Sequence, residues 1–137
     1  KYISFNLNQD SYCIALDYVK EVLKDATITR VPGVPNYIEG IMNLRGEYIT
    51  VINLKNFLDL DTNTNNDKKP VVIVKSGELT LAFLIDRINE LFEFQEDEIN
   101  DLSDGYFSSE FVYNGSLYTI LNVERIAEDK RLIITDM

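Results

Sequence analysis

The chain of 137 residues contains no histidine, no tryptophan, three prolines and one cysteine. Each gap removes a class of chemistry. Without histidine, the commonest general base and metal ligand is missing. Cys13, with no second cysteine and no histidine, can form neither an internal disulfide nor a Cys–His pair. It stands among apolar residues in a strand-like stretch and reads as an inert core thiol, suited to a reducing, cytosolic setting. Neither G-x-x-x-x-G-K-[ST] nor G-x-G-x-x-G occurs, so the phosphate-cradling loops are absent. No apolar run approaches the roughly 20 residues that a membrane helix needs, and no signal-peptide pattern opens the chain. The acidic run 96–104 and the alternation Asp61, Asn63, Asn65, Asp67 both lack the full calcium-loop pattern, so neither a metal nor another cofactor is expected. Nothing remains for an enzyme to stand on, and the expectation is a binding protein. Basic side chains are few as well. Thirteen Lys and Arg face 23 Asp and Glu, for a net charge of −10. Nucleic acid and anionic membranes both select basic surfaces, so neither is an expected partner.

What is present describes an ordinary folded domain. Hydrophobic residues make up 45% of the chain, with 8 Tyr and 7 Phe, which excludes disorder. The length suits one domain, 1–137. The charge is uneven: residues 1–60 carry six basic and seven acidic side chains, whereas 61–137 carry seven and 16. Solubility is the plain explanation; two different partner faces is the sharper one.

The chain is organised around residues 31–58, VPGVPNYIEGIMNLRGEYITVINLKNFL. Pro32 and Pro35 exclude a helix at its front. Gly40 opens the apolar run Ile41, Met42, Leu44, and Arg45-Gly46 breaks it. Tyr48 to Leu54 then alternates with period two, so the pair predicts a β-hairpin closed by a short amphipathic turn at 55–58. Upstream, Ile3, Phe5 and Leu7 alternate with Ser4, Asn6 and Asn8, predicting a half-buried strand. Asn8 to Ser11 is turn chemistry, and Tyr12, Ile14 and Leu16 form a return strand. Asp17 is placed to cap a short helical turn over 18–23, with Val19, Val22 and Leu23 on one face. A short strand is expected at 27–31.

Downstream, the polar stretch 59–69 reads as a mobile loop and a crossing between two halves, near 59–70. Val71 to Val74 predicts a strand buried on both faces. Leu79 to Ile85 follows with Leu79, Leu81, Phe83 and Ile85 inward, and 88–94 reads as a strand. The run 96–104 reads as a solvated acidic loop. Asn114-Gly115 between apolar runs is the strongest hairpin signal in the chain. Asn122 is placed to cap a helix over 123–130, and Leu132 to Ile134 is expected to dock back. The sum is roughly ten short strands, a few helical turns and no long helix: an all-β chain of two small curved subdomains.

The string P-x-x-P-x-Y-I-x-G-I-x-N-L-R-G-x-x-I-x-V-I-x-L, from Pro32 to Leu54, resembles the signature of the CheW-like domain family. The resemblance extends to Phe5-x-Leu7, Tyr12-x-Ile14-x-Leu16, Val19-x-Glu21-Val22 and Leu84-Ile85-Asp86-x-Ile88. Cys13 departs from it, since the family more often has glycine there. The resemblance implies two packed SH3-like five-stranded barrels and a non-catalytic, cytoplasmic adaptor of bacterial chemotaxis, part of a two-component signalling system. Its implied partners are the regulatory domain of the CheA histidine kinase and the hairpin tip of a methyl-accepting chemoreceptor.

The resemblance also implies site residues. Val19, Glu21 and Val22 match a segment that contributes to a groove for the receptor tip, with Ile85, Asp86 and Ile88 on the facing subdomain. Leu44, Arg45 and Gly46 belong to the motif near the receptor- and kinase-contacting surfaces. Each has a plainer reading beside it. Arg45 ties its hairpin to a neighbouring carbonyl or carboxylate; Val19 and Val22 are a core pair and Glu21 a solvated acid; Ile85 and Ile88 are strand-end core residues. The chain begins at Lys1 and not Met, which keeps two other readings open: the CheW-like part of a CheV-type protein and the regulatory domain of a CheA kinase. From a different class, a small-ligand-binding β-barrel would require an apolar cavity with a few convergent polar groups.

Overall fold

A computed structural model of the chain describes residues 1–62, 69–93 and 100–132. Two antiparallel strands open it, β1 (Tyr2–Leu7) and β2 (Asp10–Ala15), followed by a 3-10 turn at Leu16–Tyr18. Then come β3 (Val19–Leu23), β4 (Ile38–Leu44), β5 (Glu47–Asn53) and a one-turn helix α1 (Leu54–Phe57). The second half runs β6 (Val71–Ser76), β7 (Leu79–Leu84), β8 (Arg87–Phe92), β9 (Asn100–Asp104), β10 (Phe107–Tyr113), β11 (Ser116–Leu121), helix α2 (Val123–Ala127) and a 3-10 turn at Lys130–Leu132. The all-β expectation holds.

The strands form two sheets. One has six strands in the order β8-β1-β2-β11-β10-β9, the other five in the order β3-β6-β7-β5-β4. The two sheets do not split the chain at 59–70. β5 and α1 before that stretch and β6 after it all stand on the five-stranded side. The chain changes sheets at Leu16–Tyr18 and again between β7 and β8, so the N-terminal hairpin pairs with the C-terminal strands. Hairpin signals are local and were legible; the parallel pairings β2–β11 and β5–β7 join distant segments and leave no local trace.

The five-stranded sheet curls until its edges meet. Thr29, beyond β3, bridges Ile41 of β4 through a reciprocal pair of backbone hydrogen bonds of 2.8 and 2.9 Å. This bridge is all that forms of the strand expected at 27–31. Gly40 makes the approach possible: its φ is +155°, and a Cβ there would lie 2.2 Å from the Thr29 carbonyl oxygen.

The main core lies between the sheets. Ile3, Phe5, Leu7, Tyr12 and Ile14 meet Ile52, Leu54, Phe57, Val72, Val74, Leu81 and Phe83 there. A second cluster, Met42, Ile49, Val51, Val71, Ile73 and Ala82, belongs to the five-stranded sheet alone and fills its other face. That is why Val71 to Val74 is buried throughout, as its continuous apolar run predicts. β1 is not half-buried as its alternation suggests. It lies between β8 and β2, and Ser4 and Asn6 are buried on its second face beside Cys13. The Asn6 side chain is satisfied there by the Asp10 carbonyl, Arg87 and Asn89.

Four further expectations change. Residues 19–23 are a strand, not a helical turn; the 3-10 turn precedes it. Leu79 is exposed at the start of β7, next to the Gly77 turn. The end of the acidic run is strand β9, paired with β10, while 94–99 and most of the 59–69 loop lie outside the described residues. Helix α2 is shorter than expected, but Asn122 caps it by accepting the Arg125 amide at 3.0 Å. Asn114 and Gly115, both at positive φ, make the β10–β11 turn. Leu132 packs against the main core; Ile133 and Ile134 lie outside the described residues.

Candidate functional site

Arg45 and Gly46 form the two-residue turn between β4 and β5, with φ of 50° and 91°. Positive φ at both positions matches the twist of the flanking strands. The Asn43 side chain accepts the Gly46 amide at 2.9 Å and holds the turn. From it the Arg45 guanidinium reaches Glu21 on β3, Nη1 to Oε1 at 2.9 Å and Nη2 to Oε2 at 3.1 Å. Because β3 and β4 are opposite edges of the sheet, this fork spans the barrel closure. The Arg45 hydrogen bond holds the Glu21 carboxyl below its ordinary range, and Glu21 raises the guanidinium in turn. The Arg45 side chain remains 72% exposed. The plainer reading of Arg45, a tie to a carboxylate, is therefore met, and the carboxylate is another motif residue. The sequence picked out both residues but contained no signal that they pair.

Val19 and Val22 are half-buried against the main core. Val22 and Leu23, expected on one helical face, point to opposite sides of the strand and touch different clusters. A register shift between Val19 and Glu21, against Val74 and Ile73 of β6, sets the strand's aim. Leu44 packs against the second cluster, and no atom comes within 4 Å of a Cβ built on Gly46, so the backbone is open to approach.

Asp86 sits between β7 and β8, at the sheet junction, where its amide donates to the Asn6 carbonyl. Its carboxylate accepts the Asn8 amide at 2.7 Å and pairs with Lys55 at 2.9 Å and Lys69 at 3.5 Å. Burial pushes its pKa up, but the Asn8 amide and the two ammoniums outweigh that and hold it below the usual value. Asn8, Lys55 and Lys69 were missed by sequence reading, since they converge only through the fold. Ile88 pairs with Phe5 and is half-buried against the main core. Ile85 is only 1% exposed within that core. Its implied receptor contact is corrected: the side chain supports the sheet junction and offers no surface. The candidate residues thus form two groups, one on β3 and the β4–β5 turn, with Val19, Glu21 and Val22 opposite Val74, Ile73 and Val72 of β6, and one between β7 and β8, where the Ile85 amide donates to the Pro70 carbonyl.

Chemistry is sparse around both groups. Burial pushes the Cys13 thiol up to about 12, so it stays protonated. Among the described residues no three His, Cys, Asp or Glu side chains gather as a metal site. A cleft of about 510 Å³ on the six-stranded sheet is lined by Ser4, Asn6, Ser11, Arg87, Asn89 and Asn114 with two tyrosines. That lining is polar, unlike the apolar cavity a small-ligand barrel requires. Among the described residues no helix is long and apolar enough to cross a membrane.

The model of the CheW-like domain matches residues 1–131. The chain is 33% identical over 105 residues to the chemotaxis protein CheW of Bacillus subtilis, covering 77% of this chain and 67% of that protein. It is 30% identical over 135 residues to the chemotaxis protein CheW of Helicobacter pylori, covering 92% and 80%. Among solved structures, the scaffolding protein TtCheW from Thermoanaerobacter tengcongensis superposes with a TM-score of 0.87 at 25% identity, covering 96% of this chain and 94% of that one.

Proposed function

The chain belongs to the CheW-like domain family, and from that premise we propose that it is a chemotaxis signalling adaptor that couples chemoreceptors to the CheA histidine kinase. It performs no reaction. It holds two partners in a geometry through which the receptor's state biases the kinase, which requires distinct surfaces for the two.

The observation that carries this reading is the exposed Glu21–Arg45 fork across the barrel closure. A charged pair of this exposure adds little to folding. Its place in a recognition role is better motivated, because the guanidinium keeps donors that face solvent and Gly46 leaves its flank open. Val19 and Val22 supply apolar surface on the same strand as Glu21, and a receptor tip is helical, so the expected contact is a helix against apolar anchors with a charged rim. Leu44 and Gly46 shape the hairpin end nearest the kinase-facing side. Asp86 and Ile88, at the sheet junction, belong to the rim of the receptor groove.

The test is calorimetric titration of the folded chain against a receptor hairpin-tip fragment and a CheA regulatory domain. Glu21→Arg and Arg45→Glu are each expected to weaken binding at least tenfold, and the double swap to restore part of it. Unchanged affinity of both single variants for both partners would remove these residues from the reading.

A further inference from the structure

Tyr37, Phe57 and Tyr106 stand together at the sheet junction, away from the Glu21–Arg45 fork. Tyr37 precedes β4 and Phe57 ends α1, both on the five-stranded side; Tyr106 lies in the β9–β10 turn of the six-stranded sheet. Their rings are mutually inclined, Phe57 to Tyr37 at 79° and 5.9 Å between centroids, and Phe57 to Tyr106 at 58° and 5.1 Å. The space they bound holds the guanidinium of Arg131. Its Cζ is 4.1 Å from the Phe57 centroid, 5.2 Å from Tyr37 and 5.8 Å from Tyr106. All three lie within the range where ring quadrupoles attract a cation.

The polar surroundings suit a planar fork rather than a point charge. Nη2 donates to the Phe57 carbonyl at 3.2 Å and to the Tyr106 hydroxyl at 3.0 Å, while Nε donates to Asp129 at 3.2 Å. The Tyr106 hydroxyl also bonds the Asp129 carboxylate, and the Tyr37 hydroxyl donates to the Arg131 carbonyl at 2.8 Å. An ammonium has no plane to lie against a ring and cannot present donors in that arrangement.

We propose that Tyr37, Phe57, Tyr106 and Asp129 form a binding site for a monosubstituted guanidinium, which the chain keeps filled with its own Arg131. The resident arginine touches side chains from both sheets and pins them together. Removing it leaves a cavity matched to a free ligand of the same chemistry, and an arginine side chain of any docked protein would have to compete with Arg131 for the same rings.

The test adds methylguanidinium chloride to Arg131→Ala and follows the aromatic and amide NMR signals, with methylammonium chloride at equal ionic strength as the control. Arg131→Ala is expected to bind methylguanidinium saturably, with a dissociation constant on the order of 10 mM. The filled wild type and Arg131→Ala/Phe57→Leu should not. A folded Arg131→Ala without a saturable response, or an equal response from wild type or to methylammonium, overturns the proposal. The wild type supplies a second readout that does not depend on the variant folding. Ring currents should move the Arg131 δ-methylene protons upfield, and its Nε–H should be protected from exchange. Unshifted, unprotected Arg131 signals overturn the proposal equally.

Discussion

Asp86 shows how one side chain joins two layers. Its ligands come from the β1–β2 turn, from α1 and from the residue before Pro70, and all three must be in place for the carboxylate to be solvated by protein. Its folded pKa is depressed. The stabilisation is therefore complete above the unfolded value of about 3.9 and is lost as the pH falls through the folded pKa. Asp86→Asn lacks that contribution at every pH. In urea unfolding, the gap between wild type and Asp86→Asn should be full at pH 7 and narrow steadily once the pH drops below about 4. A gap of constant size from pH 7 to acid would mean that the carboxylate's charge is not what Asn8, Lys55 and Lys69 recognise. Motif likeness made Asp86 and Glu21 visible in the sequence as residues of interest. Their partners were not visible, because an ion pair between distant segments has no local pattern.

At the scale of elements, the β4–β5 hairpin was legible throughout: prolines before it, period-two alternation within it and glycine at its turn. The β10–β11 hairpin was legible from Asn114-Gly115 between two apolar runs. β3 was not. Val19, Val22 and Leu23 fit a helical spacing, and a five-residue window cannot separate that from a strand with a register shift. Pairing with β6 decided the matter. The barrel closure was also hidden, because it depends on what Gly40 lacks. Gly40→Ala would drive a Cβ into the Thr29 carbonyl, and backbone on both sides leaves little room for relief. It should cost roughly 3 kcal/mol or more in urea unfolding. Gly46→Ala, where a Cβ would meet nothing, should cost about 1–2 kcal/mol through its positive φ alone. Equal losses at the two glycines would refute the closure argument.

For the whole molecule, the core between the sheets sets the cooperative unit. Phe5, fully buried, packs where side chains from both sheets meet. Phe5→Ala should lower stability by about 3–5 kcal/mol, and amide exchange should report the same loss in β6 and β7 as in β1 and β2. A loss confined to the six-stranded sheet would show two independent units. Composition and periodicity announced an all-β chain, and motif likeness announced paired barrels. The interleaving of N- and C-terminal strands in one sheet stayed out of reach, since parallel pairing of β2 with β11 follows from neither.

Coupling requires that the chain hold receptor and kinase at once, which a bridging assay reads out. A receptor hairpin-tip fragment is immobilised, and a CheA regulatory domain is passed over it with and without this chain. Retention of the kinase domain only when the chain is present, and its loss with Glu21→Arg, is the predicted result. A folded chain that captures neither partner, or that binds both but only in mutual competition, would contradict the adaptor reading.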